Sequence, residues 1–153
     1  MRRPQHVIPN IDTKATATNA AAMLQNYHRM RAIARRPIVT GAGPLTGMPA
    51  SAPEAGRTER HMVEAINARA FVDAATQAAQ TVREVYGEEK YTILKCLYLG
   101  APVTAENIML RLGMSNTAYY HAKEDALVGF AEAFPVDWGE LLVVSGGDRH
   151  ESN

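Results

Sequence analysis

The chain has 153 residues, 46% of them hydrophobic and only 7% aromatic, with sixteen Lys plus Arg against sixteen Asp plus Glu. This length suits one compact domain, or a small domain with an arm, and excludes two large catalytic lobes. A single cysteine, Cys96, excludes a disulfide framework and a thiolate metal cluster, as expected in a reducing cytoplasm.

No stretch is apolar enough to span a bilayer, and the basic start Met1–His6 leads into polar residues instead of a signal-peptide core. The expectation is a cytoplasmic protein with no membrane partner. Zero net charge hides an asymmetry. Residues 1–60 hold nine basic and three acidic side chains, a net +6, and residues 61–153 hold seven and thirteen, a net −6. The front part is either a phosphate-seeking surface or a solvated basic face paired with acidic neighbours. Charge alone does not separate the two.

Asn10-Ile11-Asp12-Thr13 reads as a helix start, because Asp and Thr oxygens satisfy free first-turn amides. One Ala-rich helix is expected from there to Arg36, with Met23, Tyr27, Met30 and Ala34 at helical spacing. Its roughly 23 residues would span about 35 Å, and Pro37 would stop it. In residues 37–58, Pro37, Pro44, Pro49 and Pro53 alternate with Gly41, Gly43, Gly47 and Gly56, which predicts a linker or extended strap. Its Gly-rich 41–47 segment lacks the Lys-Ser/Thr ending and the preceding strand of a phosphate loop.

A second long helix is predicted from Thr58 to about Tyr86. Its core stripe is read as Val63, Ile66, Ala70, Ala74, Ala78, Val82 and Val85, widened by Phe71 and Val72. Gly87 ends it as a left-handed cap. A third helix, Glu88–Leu99, carries two carboxylates in its first turn and an apolar body, with Cys96 read as a small buried hydrophobe.

Residues 104–130 carry the pattern richest in chemistry. Thr104 caps a short helix to Leu112, with Ile108, Met109 and Leu112 facing inward. Gly113 supplies a left-handed turn residue, Met114 tucks in, and Ser115 caps a second helix. That helix turns Tyr119, Ala122, Ala126, Leu127 and Phe130 to the core. A short helix, a Gly-centred turn and a second helix form the helix-turn-helix pattern, in which the first helix braces the second for entry into a major groove. The outward set is Ser115, Asn116, Thr117, Tyr120, His121 and Lys123. Asn pairs bidentately with adenine, Thr offers a hydroxyl and a methyl to thymine, and Tyr120 and Lys123 reach phosphates. His121 meets a base or a phosphate. The competing interpretation is an ordinary helical hairpin: Met109 stands where close packing prefers Ala, and Glu124 with Asp125 place acid beside the supposed DNA face.

Other chemistry is poorly supported. His61 with Glu64 and His121 with Glu124 each share a helical face, but no HExxH or CxxC spacing accompanies them, so no metal or cofactor is expected. No nucleophile–base–orienter set stands out, which argues against an enzyme. After Pro135, Trp138, Leu141 and Leu142 are expected to fold back over the core, the alternative being an exposed docking strip for polymerase or a second subunit.

The chain resembles the ArpU family of phage late-gene transcriptional regulators from Gram-positive hosts. The likeness runs from Asn26-Tyr27-His28-Arg29-Met30 through Gly47-Met48-Pro49 and the long helix. Its most specific part is Leu112-Gly113, Ser115, Tyr119-Tyr120, Lys123, Ala126-Leu127 and Phe130–Ala133. The tail also resembles the fourth region of bacterial sigma factors, although it lacks the several Arg residues usual in that reading helix. The resemblance implies a sequence-specific protein binding double-stranded DNA on a phage or prophage operon of packaging or lysis genes. It implies contacts at Asn116, Thr117, Tyr120 and His121 and a place at the nucleoid of the bacterial host. Dimerisation and contact with RNA polymerase accompany this expectation.

The sequence therefore predicts an all-α chain. Residues 1–36 form a basic helix or arm, 37–58 the linker, 59–144 a helical domain with the helix-turn-helix at 104–130, and 145–153 a disordered tail. The rival expectation is a non-catalytic phage interaction protein, a packaging subunit or polymerase-docking factor that uses the motif as scaffold.

Overall fold

A computed structural model describes residues 10–37 and 52–145, with side chains in the second segment from Gly56 onward. The fold is all-α. Among the described residues six α-helices run in chain order: α1 (Thr13–Leu24), α2 (Tyr27–Ala34), α3 (Ala52–Tyr86), α4 (Glu88–Leu94), α5 (Ala105–Leu112) and α6 (Asn116–Ala133). The last turn of α4 widens into a π-helical segment, Lys95–Leu99. Among the described residues the sole β pairing is one antiparallel bridge, Ile11 with Val144.

The expected single N-terminal helix is two. Asp12 caps α1 as predicted, its carboxylate accepting from the Ala15 amide at 3.1 Å. The ladder then breaks at Gln25-Asn26, where the Asn26 amide bonds back only three residues, to the Met23 carbonyl at 3.1 Å. An Asn side chain competes for nearby backbone groups and favours such a break. The break lets the chain change partners, since α1 packs on α6 and α2 packs on α3. Leu24 and Tyr27, on either side of it, are both buried.

α3 begins at Ala52, inside the stretch read as linker. Pro53 is compatible with this because a first-turn residue has no acceptor for its missing amide hydrogen. Residues 38–51, which carry the rest of that linker, lie outside the described residues, as do the arm with Arg2 and Arg3 and the tail 146–153. At 35 residues α3 is about 52 Å long.

Its buried face keeps Ala78 and Val82 of the predicted stripe and Phe71 of its widened edge, but differs in the rest. Ala65, Ala68, Phe71, Ala75, Ala78, Ala79 and Val82 are buried, whereas Val63, Ile66 and Val85 are half exposed or more. Both sides of α3 are similarly apolar in sequence, so partner fit selects the face. Phe71 anchors it, meeting Phe134 edge-on at 5.8 Å between ring centroids and Trp138 at 5.5 Å. The alanines let neighbouring helices close in. Gly87 follows at φ 108°, ψ 165°, a conformation reserved for glycine but outside the expected left-handed helical region.

Among the described residues two hydrophobic cores result. The larger joins α1, α2, α3 and the C-terminal half of α6 around Leu24, Tyr27, Phe71, Val82, Phe130 and Phe134. The smaller gathers Ile93, Cys96, Ile108 and Tyr119 from α4, its π-helical end, α5 and the N-terminal half of α6. Ile93 and Leu94 are adjacent and fully buried, one in each core.

The C-terminal tail folds back, as expected. Leu141 is buried in the larger core and Trp138 packs on it. The tail also ties down the start of α1. The Asp12 amide donates to the Val143 carbonyl at 2.7 Å, the Ser145 amide to Asn10 at 2.8 Å, and the Val143 amide to the buried Thr16 hydroxyl at 2.9 Å. Ser145 is thus paired, although the sequence placed it in a disordered tail.

Where α3 crosses α6, Tyr86 donates its hydroxyl hydrogen to Glu132. The approach requires Gly129, since a Cβ there would lie 2.8 Å from the Tyr86 ring. The bond to Glu132, then burial and the charges of Glu132 and Asp125, push the Tyr86 pKa up to about 12. An unfolded Tyr loses its proton near pH 10. The folded state therefore holds the proton longer, and this contribution, complete below pH 10, fades as pH rises toward 12. Urea titrations of wild type and Tyr86→Phe should show a stability difference that shrinks over that interval; Gly129→Ala should shrink it already at neutral pH by pushing the ring off Glu132.

Candidate nucleic-acid interface

The turn between α5 and α6 is built by local chemistry. Thr104 caps α5, its hydroxyl oxygen accepting from the Asn107 amide at 3.3 Å. Gly113 ends α5 at φ 64°, ψ 36°, the left-handed conformation expected of it. The Met114 amide then reaches back to the Met109 carbonyl at 3.0 Å, the long bond of a Schellman closure. Ser115 caps α6, accepting from the Ala118 amide at 3.2 Å. Two capped helices thus meet across a turn too short to change their relative orientation freely.

The smaller core fixes that orientation. Ile108 of α5 and Tyr119 of α6 are fully buried against Ile93 and Cys96, with Met109, Leu112, Met114 and Ala122 around them. Cys96 is a buried hydrophobe, as expected. The sequence did not indicate that Arg111 approaches it, with the guanidinium Nη1 4.0 Å from Sγ. The two residues are fifteen apart and carry no shared motif.

The predicted contact residues fall mostly on one surface. Ser115, Asn116, Thr117 and His121 are exposed, Tyr120 is 50% exposed, and Lys123 is half-buried. Tyr119 and Tyr120 have opposite fates: the first is core, the second stands out edge-on to it at 4.9 Å. Lys123 lies over the Tyr120 ring, its Nζ 5.9 Å from the centroid, near the limit of a useful cation–π contact. Asn116, Thr117 and His121 spend no side-chain hydrogen bond on the described part of the protein.

α1 was not expected at this surface, yet it packs along α6. Lys14, Ala17, Thr18 and Ala21 of α1 line an open groove of about 420 Å³ with Tyr120, Lys123, Glu124 and Leu127 of α6. The four α1 residues fall at i, i+3, i+4 and i+7, one helical face, but nothing in the sequence named α6 as its partner. Across the turn, a shallow apolar groove is lined by Met109, Leu110, Gly113 and Met114 with Glu106, and Leu110 is 79% exposed.

Other basic side chains are committed within the protein. Arg36 pairs with Glu64 at 3.0 Å, and Arg69 of α3 caps the end of α2, donating to the carbonyls of Ala34 at 2.7 Å and Arg36 at 3.1 Å. Glu64 is thus the ion-pair partner of Arg36. Among the described residues no group of three His, Cys, Asp or Glu side chains could hold a metal ion. No described helix is long and apolar enough to cross a membrane. Comparison of the chain with models of protein families, with characterised proteins and with solved structures returns no match.

If the turn is set by these caps, Gly113→Ala should lower stability by about 1 kcal/mol through left-handed strain. Ser115→Ala should cost a similar ~1 kcal/mol through the lost cap. Chemical denaturation checks both, and an unchanged midpoint for either variant would contradict the role given to that residue.

Proposed function

We propose that this chain is a sequence-specific DNA-binding regulator of transcription, of the type that controls phage or prophage late genes. The observation that carries the reading is the exposed set Asn116, Thr117, Tyr120 and His121, the first two and the last with no side-chain hydrogen bond among the described residues, on the first turns of a helix braced by α5 through a Gly113 turn. That is the arrangement by which a helix-turn-helix offers side chains to base edges in a major groove. Thr117 and His121 are one helical turn apart, so they face the same side of α6. Asn116 suits adenine, and Tyr120 and Lys123 suit the flanking phosphates.

The resemblance to ArpU-type regulators and to the fourth sigma region supports the choice of gene class, in the cytoplasm of a bacterial host. On this reading the chain is non-catalytic and acts as a homodimer at the nucleoid. Two copies of α6 would enter successive major grooves roughly 34 Å apart. RNA polymerase is the natural further partner. A second reading, a non-catalytic interaction protein of the packaging or polymerase-docking kind, is favoured by the exposed Leu110 beside Met109 and Met114.

Band-shift titration on DNA from the late-promoter region of the element that encodes the protein separates the two. The regulator predicts a specific complex that weakens steeply with salt. Asn116→Ala should cost about 1–3 kcal/mol, roughly 5- to 150-fold in Kd, and relax specificity at one base pair. Tyr120→Ala should weaken all sequences alike. Binding of either variant at wild-type affinity would remove α6 as the reading helix, and no complex at low salt would favour the second reading.

A further inference from the structure

We infer that α1 is a second DNA-contacting element, with Lys14 as a backbone-phosphate contact beside the reading helix. This rests on the DNA-binding reading above and identifies a contact outside the helix-turn-helix. α5 braces α6 through the flank of Tyr119 and Ala122, whereas α1 meets a different flank, that of Tyr120, Lys123 and Leu127. Packed helices lie roughly 8–10 Å apart, and a major groove is about 12 Å wide. When α6 occupies the groove, a helix packed on its flank therefore lies over the phosphate strand that borders it.

The groove between α1 and α6 has the chemistry for that strand. Lys14 and Lys123 both line it, and neither forms an ion pair among the described residues, whose ion pairs are Arg36–Glu64 and Arg83–Glu88. Tyr120 borders the same groove. Glu124 also lines it and opposes a phosphate. Lys14 is set on a fixed backbone. Asp12 and Thr16, two residues to either side, are bonded to Val143, and Asn19 donates to the Leu141 carbonyl at 3.2 Å. A phosphate ligand held this way positions the duplex as well as attracting it.

The test is an anisotropy titration of the full chain against a short labelled duplex of arbitrary sequence, at several salt concentrations, because phosphate contacts are independent of sequence. Lys14→Ala should raise Kd roughly 3- to 10-fold at low salt and reduce the salt slope by about one, and Lys14→Arg should restore both. Glu124→Gln should tighten binding by roughly twofold or more. Lys90→Gln in α4, outside the groove, serves as the control for bulk charge. The inference is overturned if Lys14→Ala keeps wild-type affinity and slope, if Glu124→Gln does not tighten binding, or if Lys90→Gln loses as much as Lys14→Ala. If wild type binds no duplex at low salt, the DNA-binding reading itself fails; if wild type binds and Asn116→Ala alters specificity while Lys14→Ala does not alter affinity, only the role of α1 fails.

Discussion

The structure depends on one helix belonging to two cores. The C-terminal half of α6 is fixed by Ala126, Leu127, Phe130 and Ala131 in the larger core, and its N-terminal half by Tyr119 and Ala122 in the smaller. A fully buried Phe or Leu contributes on the order of 1.5–3 kcal/mol by leaving water, so the larger core alone clamps the back of the helix firmly. The front is clamped by α5 and α4, with α1 along a second flank at Tyr120 and Lys123. The polar first turns of α6 are left exposed on a rigid support, and that is the structural requirement for side chains that must present fixed geometry to a partner.

The same sharing explains the less obvious elements. α4 spans both cores through the adjacent Ile93 and Leu94, and the widened π-helical end carries Cys96 into the smaller one. The C-terminal tail closes the larger core with Leu141 and Trp138, and its backbone pairing with Asn10–Asp12 holds α1 against α6. Removing the tail would therefore act at two places: it would uncover Phe71, and it would release the helix that flanks the candidate interface.

Much of the unit formed by α5, its turn and α6 was legible in the sequence because its signals are local. Thr104 and Ser115 are caps that need only their own next turn, and Gly113 needs only its own backbone angle. The Tyr119–Phe130 core face also follows from spacing within one helix. What was not legible depends on partners. The break at Gln25-Asn26 follows from α1 and α2 packing on different helices, and the buried face of Ala-rich α3 is selected by Phe71 meeting Phe134 and Trp138. The β-branched Val63, Ile66 and Val85 suggested a face by their size, yet helix packing favoured the alanines. The placement of Lys14 beside Lys123, more than a hundred residues later, had no local signal at all.

The central claim is that the first two turns of α6 are the surface that meets DNA. Amide chemical-shift mapping of isotope-labelled protein, titrated with the duplex that shifts its band, tests this without altering a residue. The account predicts the largest changes at Ser115–Lys123 and the start of α1, with the outer side of α3 around Val63 and Ile66 unmoved. Changes centred instead on Leu110 and the apolar groove beside it, with Asn116, Thr117 and His121 unperturbed, would contradict it.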